Sequence, residues 1–209
     1  RNTTALQTFK AVGETNIKSF LNNLDIQIKN DGQDYLVESN SIGADISPIK
    51  MAAAYATFGN YGTYSKPYTV TKVTTRDGQV TEFKPEQKQA MKDSTAYMIT
   101  DVLKDSFKYG FATQATIPGL PTAAKTGSSN YTVEQKRAMG ASDYEDIIPD
   151  SWFIGYSTDY TISAWTGYDN PYEQGGGVDT TEQEYSRLIY YYLMKYMAES
   201  SSGDDWVQP

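Results

Sequence analysis

The stretch PTAAKTGSSN, residues 121–130, places one lysine among small residues and follows it with a glycine and two serines. Its small residues predict a strand over residues 121–128, so Lys125 and Gly127 would face one way and Thr126 and Ser128 the other. A glycine lets a ligand or another backbone approach a strand closely. The stretch fits an ordinary strand running into a turn, but it also has the groups of an anion site: a cation, hydroxyls and spare N–H groups.

Composition limits the classes of function that this stretch can serve. The chain has 209 residues, of which 39% are hydrophobic and 13% aromatic, so it is expected to fold and not to be disordered. Its net charge is -8, which leaves no basic excess for neutralising phosphates. We therefore expect no nucleic-acid partner.

Two residue types are absent from the sequence. Without cysteine, the chain has no disulfide, no thiolate nucleophile and no cysteine-ligated metal. Without histidine, it has neither a Ser-His-Asp triad nor a zinc-histidine motif. Nucleophilic catalysis would need another base, and lysine is the obvious substitute. We expect no metal and no cofactor.

Periodicity predicts a chain of mixed α and β structure, which we interpret as one domain. Apolar residues at helical spacing predict helices at about residues 4–12, 15–24, 48–59, 94–109 and 182–198. Alternation around Asp77-Gly78 predicts a β-hairpin, and a second hairpin is predicted from residues 151–157 and 161–169. The connection from about residue 131 to 150 is acidic, and its residues Glu145, Asp146 and Asp150 are expected to lie in a solvated loop. The last helix is apolar almost all round, which is typical of a helix buried against a sheet.

These motifs in this order resemble a known family. KTGSSN is followed by SWFIGYS and AWTGYD and preceded by SPIKMAAAYATFGNYGTYSKPY. The combination resembles the transpeptidase domain of class A, bifunctional penicillin-binding proteins of a Gram-positive, streptococcal-like type. The resemblance covers nearly the whole chain. It implies an α+β fold in which helices pack on an antiparallel sheet, as in penicillin-binding proteins and serine β-lactamases, with part of that fold upstream of this chain.

The resemblance also implies which residues carry the chemistry. The family uses S-x-x-K, S-x-N and K-T-G motifs in chain order. Lys125, Thr126 and Gly127 match the third motif, and Arg1-Asn2 would be the end of the second, with Asn2 binding the substrate's amide. The chain would thus begin inside S-x-N, and the nucleophilic serine would lie upstream. The residues Ser47-Pro48-Ile49-Lys50 also satisfy S-x-x-K, but they follow the S-x-N remnant, so we interpret Ser47 as a helix cap.

In such an enzyme, a serine acyl-enzyme formed from a D-Ala-D-Ala stem peptide is resolved by an amine to cross-link peptidoglycan, and β-lactams block the serine. Lys125 would stabilise charge and help proton transfer, Thr126 and Ser128 would bind the substrate carboxylate, and the Ser128 N–H would be an oxyanion donor. Gly127 would let the peptide lie along the strand, and Asn130 would touch the pocket rim. The implied location is the outer face of the bacterial cytoplasmic membrane, with the anchor and a glycosyltransferase domain elsewhere in the protein.

Three other functions stay open on these residues. A serine β-lactamase or a DD-carboxypeptidase would share the K-T-G strand but use water to release the acyl group. A noncatalytic cell-wall glycan-binding module would use some of the 18 tyrosines for sugar stacking. For Trp152, Phe153, Trp165 and Tyr168, we expect packing against the terminal helix more than a place in an acceptor groove.

Overall fold

The structure, a computed structural model, describes residues 2–209. Arg1, the other residue of the proposed S-x-N remnant, lies outside the described residues. The chain divides into two compact units, Arg1–Ala96 and Tyr97–Pro209. Among residues 2–209, no helix combines the length and the apolar character needed to cross a bilayer.

The first unit contains short helices and two small antiparallel strand pairs. Its elements are α1 (Asn2–Val12), α2 (Glu14–Asn23), α3 (Pro48–Gly59), β1 (Thr63–Ser65), β2 (Lys72–Thr74), β3 (Val80–Glu82) and β4 (Gln87–Gln89). Gly13 separates α1 from α2 at a φ of 80°, a left-handed conformation that glycine adopts without strain. The predicted hairpin is confirmed as β2 paired with β3, with Gly78 at a φ of 86° in its turn.

A small apolar core holds the first unit together. Leu24 and Ile26, which follow α2, pack with Ala53 and Ala54 of α3. Tyr64 of β1 belongs to the same core, so the β1–β4 pair closes one side of it. The sequence patterns above did not predict this strand pair.

The second unit is built on a three-stranded antiparallel sheet. The helix α4 (Asp93–Lys104) leads into it, and β5 (Ala123–Ser128), α5 (Val133–Ala138), β6 (Asp150–Tyr156), β7 (Thr161–Gly167) and α6 (Tyr185–Ala198) follow. The strand order is β5-β6-β7, and β6 and β7 form the predicted second hairpin. The α+β class and the antiparallel sheet packed by helices are therefore confirmed.

The sheet is covered by different elements on its two faces. On one face, the fully buried Phe153 packs its ring 4.7 Å from that of Tyr190 of α6. Gly155 makes this possible, since a Cβ at that position would lie 2.3 Å from a Tyr190 ring carbon. On the other face, the hydroxyl of Tyr156 lies 3.1 Å from that of Thr100 in α4. Tyr156 also meets the ring of Trp206 edge-on at 5.6 Å.

The terminal helix α6 is buried on one side only. Its inner side carries Ser186, Arg187, Tyr190 and Met194, all buried. Six large apolar side chains line the opposite side at helical spacing and are exposed; we call them the outer row of α6: Tyr185, Leu188, Ile189, Tyr192, Leu193 and Tyr196. The expected burial of this helix against the sheet is confirmed for its inner side, whereas the outer row stays exposed because the three-stranded sheet covers only one side of the helix.

The β5–β6 connection contains a helix that was not predicted. Thr132 caps α5, with its hydroxyl accepting from the Gln135 N–H while the Gln135 side chain accepts from the Thr132 N–H. Tyr131, Met139 and Ile147 form a small separate core under this helix. The connection is therefore an ordered structure and not only a solvated loop.

Candidate active site

The direction of the backbone groups in the sheet can be worked out from the β6–β7 hairpin. The Ser157 N–H donates to the Tyr160 carbonyl at 2.8 Å. Backbone groups alternate in direction along a strand, so Ser151, like Ser157, directs its N–H and C=O toward β7. Trp152, one residue further on, directs its own N–H and C=O toward β5.

This alternation decides which groups of β5 are free. Gly127 pairs with Trp152 and uses its backbone groups in the ladder. The N–H and C=O of Thr126 and Ser128 therefore point away from β6. Among the described residues β5 pairs with β6 alone, so these groups lie at an open sheet edge. An extended peptide can add to such an edge as a further strand.

The K-T-G motif occupies the exposed half of this edge strand. Ala123 and Ala124 are fully buried, whereas Lys125, Gly127 and Ser128 are exposed. The Lys125 ammonium donates to the Thr126 carbonyl at 2.6 Å, which agrees with an outward direction for that carbonyl. The Lys125 ammonium and the two free N–H groups thus lie along one edge of the strand end, where they could bind an anion, while the hydroxyls of Thr126 and Ser128 lie on the other face.

Gly127 is not required by the packing of this chain. Its φ is not positive, and a Cβ built on it would lie 3.4 Å from the Trp152 Cβ, an ordinary contact distance. A methyl side chain at this position would therefore fit the sheet. The absence of a side chain leaves space on the exposed face beside Lys125, where a ligand can approach closely.

The other two predicted site residues, Asn130 and Asn2, lie outside β5. Asn130 is exposed two residues after the end of β5. Asn2 is exposed at the beginning of α1, in the first unit, whereas the K-T-G residues lie in the second. The structure therefore brings together Lys125, Thr126, Gly127 and Ser128, with Asn130 following in the chain.

The aromatic residues near the site divide into two groups. Phe153 packs against α6 as predicted. Trp152 and Trp165 lie on the opposite face of the sheet, with ring centroids 6.5 Å apart, and Trp165 is 38% exposed. Tyr168 is 41% exposed and donates to the Glu182 carboxylate at 2.9 Å, a hydrogen bond that raises the pKa of its phenol. Packing against α6 is thus wrong for Trp152 and Trp165, because the strand alternation turns both tryptophans to the other face of the sheet. Tyr168 follows the end of β7, and its partner Glu182 lies just before α6.

Ser47 and Lys50 do not form a catalytic pair in this structure. Ser47 occupies the N-cap position of α3, as predicted, although its side chain makes no capping hydrogen bond. Both residues are exposed. The assignment of Ser47 to the helix start is therefore confirmed in position, without the expected side-chain bond.

Two further features of residues 2–209 bear on ligand binding. No group of three or more acidic side chains within that range is arranged to hold a metal ion. An apolar cavity of about 500 Å³ lies in the first unit, and Phe9, Val12, Ile17 and Leu21 contribute to its wall. The K-T-G residues do not line this cavity.

Comparison with known proteins gives the family. The family described as the penicillin-binding protein transpeptidase domain matches residues 1–194. Penicillin-binding protein 1A of Streptococcus pneumoniae (strain ATCC BAA-255 / R6) is 38% identical over 216 aligned residues, which cover 100% of this chain and 29% of that protein. Penicillin-binding protein 1A/1B of Bacillus subtilis (strain 168) is 37% identical, over 97% of this chain and 22% of its own length. The chain thus spans less than a third of these relatives.

Solved structures share the fold. The penicillin-binding protein PonA1 from Mycobacterium tuberculosis aligns with a TM-score of 0.67 at 23% identity, covering 87% of this chain and 46% of its own. Penicillin-binding protein A from M. tuberculosis, solved as an imipenem acyl-enzyme complex, aligns with a TM-score of 0.63 at 17% identity, over 92% of this chain and 45% of its own. The family match over most of the chain, the identity to streptococcal and Bacillus relatives and the shared fold agree. This chain belongs to the penicillin-binding protein transpeptidase domain family.

Proposed function

We propose that the protein to which this chain belongs is a peptidoglycan DD-transpeptidase that forms a serine acyl-enzyme. The observation that carries the proposal is the open edge of β5, where the K-T-G motif and the outward N–H groups of Thr126 and Ser128 lie together. Membership of the transpeptidase family supports it. So does the imipenem acyl-enzyme of a protein with the same fold.

The edge strand suits a peptide that ends in a carboxylate. The stem peptide would lie antiparallel to β5 and pair with the free backbone groups of Thr126 and Ser128. The hydroxyls of these two residues would bind its terminal carboxylate. The Ser128 N–H would donate to the oxygen of the reacting carbonyl, as one of two oxyanion donors.

The proposed reaction would use these residues as follows. A serine from an upstream segment bonds to the carbonyl carbon of the penultimate D-Ala, the C–N bond to the last D-Ala breaks, and the serine proton passes to the departing amine. An amine of a second stem peptide then attacks the ester, forms the cross-linking amide and returns a proton to the serine. Lys125 would stabilise the negative charge that develops and assist proton transfer, while Asn2 would hold the substrate amide. Asn130 would contact the rim of the pocket.

The wider setting is part of the same proposal. Stem peptides and β-lactams would be the small partners, and the upstream segment with its S-x-x-K motif would complete the site. A glycosyltransferase domain and a membrane anchor elsewhere in the protein would place the reaction on the outer face of the cytoplasmic membrane. The names of the relatives and the small share of their length that this chain covers are consistent with such an arrangement.

Labelling with fluorescent penicillin tests the proposal. The complete protein is expected to be acylated on one upstream serine and to stay acylated, with the label located by mass spectrometry. Lys125→Ala should abolish or strongly slow labelling while leaving the melting temperature unchanged, because Lys125 is exposed and its side chain donates to the neighbouring Thr126 carbonyl.

Three other results would each contradict the proposed transpeptidase function and indicate a different one. Rapid release of the penicillin product would indicate a β-lactamase. Hydrolysis of D-Ala-D-Ala peptides without amide formation, when an amine acceptor is present, would indicate a carboxypeptidase. Saturable binding to glycan strands with no penicillin label would indicate a noncatalytic module.

A further inference from the structure

A buried pair of serine hydroxyls lies directly beside the end of β5. Ser128 is paired with Ser151 of β6, and both side chains are on the face that α6 covers. Since the backbone groups of Ser128 point outward, this is a pair without ladder hydrogen bonds, in which the two Cα atoms approach to about 4.5 Å. Ser151 is therefore the cross-strand neighbour of Ser128, at a point where no ladder hydrogen bond holds Ser128 in place.

Ser151 is itself held by the turn that leads into α6 and by the first turn of that helix. Its hydroxyl donates to the Gln183 carbonyl at 3.0 Å and lies 3.1 Å from the Ser186 hydroxyl. The single proton of Ser151 is used on the carbonyl, so Ser186 is the donor within the pair. Ser151 is 7% exposed and Ser186 1%, so water competes little for these bonds.

Folding stability does not explain why polar side chains are buried around this serine pair. Thr166 of β7 continues the row of Ser128 and Ser151 across the sheet. Within residues 2–209, Oγ1 of Thr166 and Nε2 of Gln183 are buried with no hydrogen-bond partner. Buried polar groups without partners are costly, and apolar side chains would hold a helix on a sheet without that cost. A polar layer at this end of the sheet therefore suggests a role besides packing.

We propose that Ser151 and Ser186 are positioning residues for acyl transfer, which hold the end of β5 so that the Ser128 N–H stays directed at the reacting carbonyl oxygen. This inference rests on the proposed function. An oxyanion donor acts only when it lies about 2.7–3.1 Å from the oxygen that becomes charged, so a small displacement of Ser128 weakens it. The hydrogen bonds of Ser151 with the Gln183 carbonyl and the Ser186 hydroxyl hold the strand next to Ser128 and oppose such a displacement.

The test compares three alanine variants of the complete protein. Ser151→Ala and Ser186→Ala each remove part of the pair. Ser163→Ala is the matched control, since Ser163 also lies in the sheet with a buried hydroxyl, has no partner for that hydroxyl among residues 2–209 and lies on the opposite face. Stopped-flow labelling with fluorescent penicillin separates the affinity of the first complex from the acylation rate constant, and a melting curve reports stability.

We expect the acylation rate constant to fall by roughly tenfold for Ser151→Ala, a fraction of what loss of the whole donor costs, with unchanged affinity. Ser186→Ala should give a smaller fall, because Ser151 keeps its bond to Gln183. Ser163→Ala should acylate like the wild type.

Acylation of Ser151→Ala at the wild-type rate would overturn the inference, and so would an equal fall in Ser163→Ala. If Ser151→Ala does not fold, the decision passes to Ser186→Ala, and a wild-type rate constant for that variant overturns the inference as well. A wild-type protein that takes no label at all refutes the proposed function itself.

Discussion

Replacing Ser128 by proline separates the catalytic role of its N–H from any role in folding. Proline has no N–H and is tolerated at the edge of a sheet where that group points to solvent. The Ser128 N–H points away from β6, so the change removes no ladder hydrogen bond and should reduce the unfolding free energy by less than the same change at Gly127. Loss of one oxyanion donor should slow acylation by about 100- to 1000-fold.

Two companion variants give this prediction its control. Ser128→Ala keeps the N–H and removes the hydroxyl. The difference in acylation rate between Ser128→Ala and Ser128→Pro therefore measures the contribution of the N–H. Gly127→Pro removes a ladder bond to Trp152 and should cost about 1–3 kcal/mol. Penicillin labelling kinetics and urea unfolding of the complete protein supply both measurements. Equal destabilisation by Ser128→Pro and Gly127→Pro would refute the conclusion that the Ser128 N–H points away from β6. Equal acylation rates of Ser128→Pro and Ser128→Ala would refute the role of the Ser128 N–H as an oxyanion donor.

Three further predictions concern packing, the second S-x-x-K sequence and acid stability. Gly155→Ala should cost about 1–3 kcal/mol in urea unfolding, because the added Cβ would lie 2.3 Å from the Tyr190 ring; an unchanged midpoint would contradict this contact. Ser47→Ala together with Lys50→Ala should leave penicillin labelling unchanged, and any loss of label would reopen that pair as a candidate. Hydrogen bonds from serines of the C-terminal segment lower the pKa of Asp159 below its usual 3.8. Their contribution to stability is thus complete above pH 3.8 and is lost as the pH falls through the lower folded value, so Asp159→Asn should reduce the acid dependence of melting, whereas an unchanged dependence would exclude this contact.

The site could be predicted from sequence to the extent that it is local. Lys125, Thr126, Gly127 and Ser128 are consecutive residues on one strand, so strand alternation already separates their faces. The sequence does not predict which backbone groups of β5 are free, because their directions depend on the β6–β7 turn, about 30 residues further along the chain. The serine pair was missed for a similar reason, since Ser151 and Ser186 are neighbours only after α6 packs on the sheet.

Three other features of the fold were not predicted, for reasons that lie in the local sequence. The helix α5 lies in a polar connection, but Thr132 and Gln135 had the spacing of a capping box, and that signal was available in the sequence. The pair β1–β4 joins two short polar strands, which alternation of apolar residues does not detect. For α6, an apolar pattern all round the helix predicted burial without indicating how much of the helix this chain covers.

The outer row of α6 has a practical consequence for anyone who prepares this chain by itself. Six large side chains along roughly three turns would face water, and such a continuous nonpolar strip favours self-association and dye binding. A separately produced chain should therefore enhance the fluorescence of an environment-sensitive dye and sediment as more than a monomer. Charged residues at Leu188 and Tyr192 should return it to a monomer, which would make the isolated polypeptide usable for spectroscopy.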